Sequence, residues 1–118
     1  MKKSILLSTF VFATIMLQAQ TDLDVAFATW KNPSKSNAQR SEAYLDYIWD
    51  GYVYSNPDSA IILAEDLLLF AKKTKDRRIT ELAYNVQGVA YYVKGDNTRA
   101  LERWNRSLKI ATEIKHKS

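Results

Sequence analysis

Cysteine is absent from the 118 residues. That excludes disulfides, cysteine nucleophiles, thiolate metal sites and a lipidated N-terminal cysteine, so packing alone must hold the fold. Proline occurs twice and glycine three times, counts that suit helices better than a turn-rich all-β domain. The glycines, Gly51, Gly88 and Gly95, are scattered, so no glycine-rich phosphate loop is present. The single histidine, His116, sits near the C-terminus without metal-ligand spacing around it. No cofactor or metal site is expected. The longest apolar stretch, Ile5 to Leu17, is too short for a comfortable transmembrane helix. Charge of one sign is also scarce. Seventeen basic and thirteen acidic residues give +4, and loss of Lys2 and Lys3 would leave about +2. That balance does not point to nucleic acid as a partner.

What is present is apolar matter, 47% hydrophobic and 12% aromatic, enough for one packed domain. Residues 1–19 read as a secretory signal peptide, with Lys2 and Lys3 as the positive start and Leu17-Gln18-Ala19 as the cleavage site. The alternative is a buried first helix or an uncleaved anchor. Export to the periplasm or the cell exterior is the expectation, with no membrane span in the remaining chain. Residues 20–35 form an N-terminal helix and linker: Asp22 caps a short helix whose Leu23, Phe27 and Trp30 share one face, and Asn32-Pro33-Ser34 ends it. A helix opens at Ser36, with Gln39 completing a capping box, and closes near Tyr54. Asn56-Pro57-Asp58 then starts a helix that runs to about Lys73, with Asn56 as cap and Pro57 at the first position. Asp76 is the next candidate cap.

The most informative stretch is Glu81 to Ile114. It reads as two amphipathic helices joined at Lys94-Gly95-Asp96. Tyr84, Gly88 and Tyr91 fall on one face of the first, and Ala100, Trp104, Ser107 and Leu108 on one face of the second. Small residues beside large rings let antiparallel helices approach closely. The same pattern recurs 40 residues earlier without gaps. Ala43-Tyr44 falls on Ala83-Tyr84, Ala60 on Ala100, Leu68 on Leu108, Ala71 on Ala111, and Asn56 on Asp96. Ile48 stands where Gly88 does, and Ala64 where Trp104 does. Residues 36–75 and 76–118 are thus two helix-pair repeats.

This pattern resembles the tetratricopeptide repeat, a helix-turn-helix of about 34 residues. Trp49-Asp50-Gly51-Tyr52 followed by Ser55-Asn56-Pro57-Asp58 is similar to the exported N-terminal repeats of certain Gram-negative signalling proteins. In those, a cyclase, histidine kinase or DNA-binding output domain follows a transmembrane helix, and no such part stands in this sequence. The resemblance implies an all-α fold of antiparallel helix pairs stacked as a short tetratricopeptide-type solenoid. It implies a sensing or scaffolding role and no enzymatic one.

The resemblance also implies that the first helix of each pair lines a concave groove. Leu45, Trp49 and Tyr52 from the first repeat, and Asn85, Val89 and Tyr92 from the second, would capture a peptide or partner helix there. Packing of Trp49 and Tyr52 on the N-terminal helix is the competing reading. On the last helix, Leu101, Trp104 and Leu108 are expected to face their partner helix, leaving Ile110 and Ile114 as an uncovered edge. That edge would take a third repeat, or a second copy in a homodimer. Arg99, Arg103, Arg106 and Lys109, diluted by Glu102 and Glu113, read as a solvated face. Asp46 and Asp50 share a helix face without the pocket that acid-base chemistry needs. Asn105-Arg106-Ser107 matches a glycosylation sequon in mid-helix.

Overall fold

Four short breaks divide the described residues into helices, and each break carries its own cap. The computed structural model describes residues 2–117, with side chains described from Thr9 onward. Met1, Ser118 and the side chains of Lys2, Lys3 and Ile5, part of the expected leader and repeat ends, lie outside the described residues. Helix α1 spans Lys2–Lys31, α2 Asn37–Gly51, α3 Pro57–Lys73, α4 Arg77–Lys94 and α5 Asn97–Lys117. Ser36 and Gln39 form the capping box of α2, each side chain bonding the other's backbone N–H at 3.1 Å. The Asn56 carboxamide accepts from Ser59 N, and Pro57 takes the first turn of α3. Asp76 accepts from Ile79 N, and Asp96 from Arg99 N. Caps of this kind are worth about 1 kcal/mol each. Gly95, at φ +86°, supplies the left-handed residue that closes α4.

The 40-residue repeat is therefore physical: Asn56 and Asp96 cap α3 and α5, and Ser36 and Asp76 likewise cap α2 and α4. All the described elements are α-helices packed in consecutive pairs, an all-α arrangement compatible with a short helical solenoid. Helix α4 packs extensively on both α3 and α5, α1 packs on α2, and α2 packs on α3 and touches α4. Among the described residues α5 has α4 as its only neighbour. The core runs along the middle helices through Ile48, Ala64, Leu67, Ile79, Ala83, Val86 and Ala90. The two repeats fill equivalent space in opposite ways. In the first, the large Ile48 is on the leading helix and the small Ala64 on the following one, both fully buried. In the second, Gly88 leaves the room and Trp104 fills it. Packing conserves volume rather than residue type.

Three expectations need correcting. The N-terminal helix does not start at Asp22. Helix α1 continues through that point, because nothing before Pro33 breaks it, and Asp22 accepts from Gln18 Nε2 within the helix (3.0 Å). Its Leu23, Phe27 and Trp30 face is as expected: Leu23 lies against Gly51, Phe27 against Tyr47 and Trp30 against Tyr44. Helix α2 ends at Gly51, not near Tyr54, since Asn56 must leave the helical region before Pro57 and sits at φ −150°.

The third correction reverses the last helix. Leu101 and Leu108 are 58% and 64% exposed, whereas Ile110 is 8% exposed and Ile114 packs against the core. Two apolar stripes share Trp104 in this sequence. The stripe that turns inward is Ala100, Trp104, Ser107 and Ile110, because α4 comes close at Gly88 and only small residues fit on either side of the indole. Leu108 thus does not belong to the repeat packing. No described helix is long and apolar enough to cross a membrane.

Candidate functional site

Of the six expected groove residues, four lie on two helices that touch, and two tyrosines turn toward other neighbours. Leu45 and Trp49 lie one turn apart on α2, Asn85 and Val89 one turn apart on α4, and these two helices touch. Leu45, Trp49 and Val89 are half-buried against the core. Tyr52 has left this group. Its hydroxyl pairs with that of Tyr47 at 2.8 Å, their ring centroids are 5.2 Å apart, and Tyr47 in turn meets Phe27 of α1. The cause is the early end of α2, which carries Tyr52 out of helical register. Tyr92 also leaves. It is 61% exposed and lies 6.0 Å from Trp104, at a cavity of about 220 Å³ formed with Asn97, Ala100 and Leu101.

The α1–α2–α3 junction is an aromatic stack. Trp30 lies parallel to Tyr44 at 4.1 Å and edge-on to Phe70 at 4.9 Å. Arg40 spans Trp30 and Phe70 and donates from Nε to the Trp30 carbonyl at 2.9 Å. Such contacts contribute about 0.5–1.5 kcal/mol each beyond burial. Burial, with the Asp66 carboxylate nearby, pushes the Tyr44 hydroxyl far above its ordinary value, and the bond to Tyr52 raises that of Tyr47 to about 12.

The repeat-packing residues of α4 each meet α5. Trp104 lies on Gly88; Arg106 lies over the Tyr84 ring at 5.7 Å; Arg99 and Arg103 lie over Tyr91 at 6.0 Å. The arginines expected on a solvated face thus cover tyrosine rings, while Glu102 bonds Arg106 at 2.9 Å. Sequence periodicity missed Gln87, which is fully buried on α4 and donates to the Ile61 carbonyl (3.2 Å) and Glu65 (2.8 Å). A polar residue inside an apolar face was the available signal.

Asp46 is exposed, its carboxyl raised by partial desolvation and by Asp50 and Glu42. His116 is exposed at the end of α5, and Ser107 of the sequon is buried in the helix. Among the described residues, no group of three or more His, Asp or Glu side chains is placed to hold a metal.

The most uneven feature is the outer face of α5. Leu68 on α3 is 3% exposed, whereas its repeat equivalent Leu108 is 64% exposed. Among the described residues, α3 packs on both α2 and α4, whereas α5 packs on α4 alone. Leu108 thus leaves open on α5 a position that the first repeat buries on α3. Comparison with protein-family models, with curated proteins and with solved structures gives no match.

Proposed function

We propose that this chain is a non-enzymatic protein-interaction module of the tetratricopeptide type, and that it takes an amphipathic helix of its partner on the outer face of α5. The observation that carries this reading is Leu108, bare at a position where the first repeat buries its equivalent, Leu68. Leu101 and Tyr92 extend the same face, and Leu45, Trp49, Asn85 and Val89 offer a second contact across α2 and α4. Burying one leucine is worth about 1.5–3 kcal/mol, so Leu101 and Leu108 would anchor the contact, and the rest of the affinity must come from the second contact across α2 and α4.

Export is part of the proposal, with residues 1–19 as a cleaved leader. Thr9 to Gln20 are all exposed on α1, so their removal disturbs no packing. The α5 face also supports a second reading, in which the covering helix belongs to the same polypeptide. That is the arrangement expected of a sensor segment ahead of a cyclase or kinase output domain.

The test uses a helix-constrained peptide with the sequence of α4, residues 77–94, as a stand-in for the covering helix. Anisotropy should show saturable binding, weakened at least about tenfold by Leu108→Glu. Equal binding by the variant, with unchanged helicity, would remove the α5 face from the account.

A further inference from the structure

Two adjoining hollows of about 380 and 280 Å³ meet at Tyr84, sharing Arg77, Tyr84 and Ile110. Their walls come from the end of α3, the α3–α4 turn, the first half of α4 and the second half of α5. Lys72, Lys75, Arg77, Arg106 and Lys109 line them, against only Asp76 and Glu113. Glu113 pairs with Arg77, and the Asp76 carboxylate is engaged in capping α4. Arg106 has Glu102 behind it. Among the described residues, no carboxylate lies within ion-pair distance of Lys72, Lys75 or Lys109.

The first repeat supplies an internal control. Tyr44 is the repeat equivalent of Tyr84, and Asp66 the equivalent of Arg106. There the hydroxyl faces a carboxylate, Asp66 Oδ2, at 3.5 Å, beside an aromatic-walled cleft of about 560 Å³. The scaffold therefore holds this tyrosine beside a charge of either sign, and packing does not demand cations around Tyr84. Yet Lys72 and Arg106 both lie 5.7 Å from its ring, and the ring is 7% exposed. Burial alone would raise its hydroxyl, but the neighbouring Arg106 and Lys72 cations lower it below the ordinary value.

We propose that the cleft around Tyr84 binds a phosphate group, with Lys72 and Arg106 as the principal donors and Arg77, Lys75 and Lys109 enclosing it. Guanidinium and ammonium groups from three helices and the α3–α4 turn line the two hollows that meet at Tyr84, a donor set that matches a tetrahedral anion with several acceptor oxygens. Ala71 and Ile110 give the cleft an apolar side where the organic part of a phosphate ester can rest. This site is separate from the outer face of α5 and does not depend on any partner there.

The probes are inorganic phosphate and glycerol phosphate, with acetate and sodium chloride as controls at matched ionic strength. Binding is followed through the Arg106 side-chain resonance at neutral pH. It is assigned to the cleft through the Tyr84 ionisation, obtained as the difference between the wild type and Tyr84→Phe. Either phosphate probe should give saturable shifts and move the Tyr84 ionisation upward, because a bound anion cancels the field that lowers it. The double variant Lys72→Gln/Arg106→Gln should weaken binding at least about tenfold while keeping its helicity. The tighter of the two probes identifies free phosphate or an ester as the source. Equal shifts with acetate, shifts that grow with ionic strength without saturating, or undiminished binding by the double variant would overturn the proposal.

Discussion

Gly88→Ala should destabilise the protein, although the same change in most helix interiors stabilises. Alanine gains about 1 kcal/mol over glycine in a helix. Here a Cβ would lie 2.9 Å from Trp104 Cε2 and closer still to Cδ1 and Nε1 of the same ring. The indole must either compress its neighbours or swing off α4. Overpacking of this kind costs about 1–3 kcal/mol, and an approach this close to a rigid ring lies toward the upper end, so the net loss is up to about 2 kcal/mol, or several degrees in Tm for a domain of this size. Gly88→Leu should cost more. The decisive assay is a double-mutant cycle by urea and thermal melts. In a Trp104→Ala background the obstacle is gone, and Gly88→Ala should become stabilising by about 1 kcal/mol. If the substitution has the same sign in both backgrounds, the Gly88–Trp104 packing described above is wrong.

Two further predictions concern buried polar groups. Gln87→Leu should change stability by less than about 1 kcal/mol, since Glu65 can return to water, whereas Gln87→Ala leaves a cavity costing about 2–3 kcal/mol; urea melts that rank them the other way would show that the hydrogen bonds dominate. In a tyrosine titration, Tyr84 should ionise before Tyr44 and Tyr47. Tyr44 and Tyr47 are raised in the folded state, so the stability they contribute is intact below about pH 10 and declines as pH rises through their folded values, about 12 for Tyr47. Tyr84 is depressed, so its contribution has the opposite sign and is present in full only above about pH 10. Tyr47→Phe should therefore flatten the alkaline loss of stability, measured as melts against pH.

Local chemistry was the most legible part of the sequence. Ser36, Asn56, Asp76 and Gly95 act through backbone groups one turn away, so their neighbours in sequence suffice to read them. The helix count, the 40-residue repeat and the close approach at Gly88 followed from spacing. The faces of α5 were not legible, because Trp104 belongs to two apolar stripes and only the proximity of α4 selects Ile110 over Leu108. The neighbours of Tyr52 and Tyr92, at the two ends of the expected groove, were not legible for a similar reason. Tyr52 and Tyr92 sit where a helix stops, or where another helix passes, and their rings follow tertiary neighbours rather than helical period. The opposite charges beside Tyr44 and Tyr84 were visible as Asp66 and Arg106, but their closeness to those rings needed the fold.

The most direct test of the account exploits the absence of cysteine. Leu108→Cys and Ile110→Cys each introduce the only thiol in the protein, two residues apart on α5, and thiol labelling in the folded state reads their exposure. The account predicts labelling of Leu108→Cys at close to the rate of an unfolded control, slowing when the α4-sequence peptide is added. Ile110→Cys should be protected by orders of magnitude with or without the peptide. A protected Leu108→Cys beside a reactive Ile110→Cys would reverse the faces of α5 and remove the proposed partner surface.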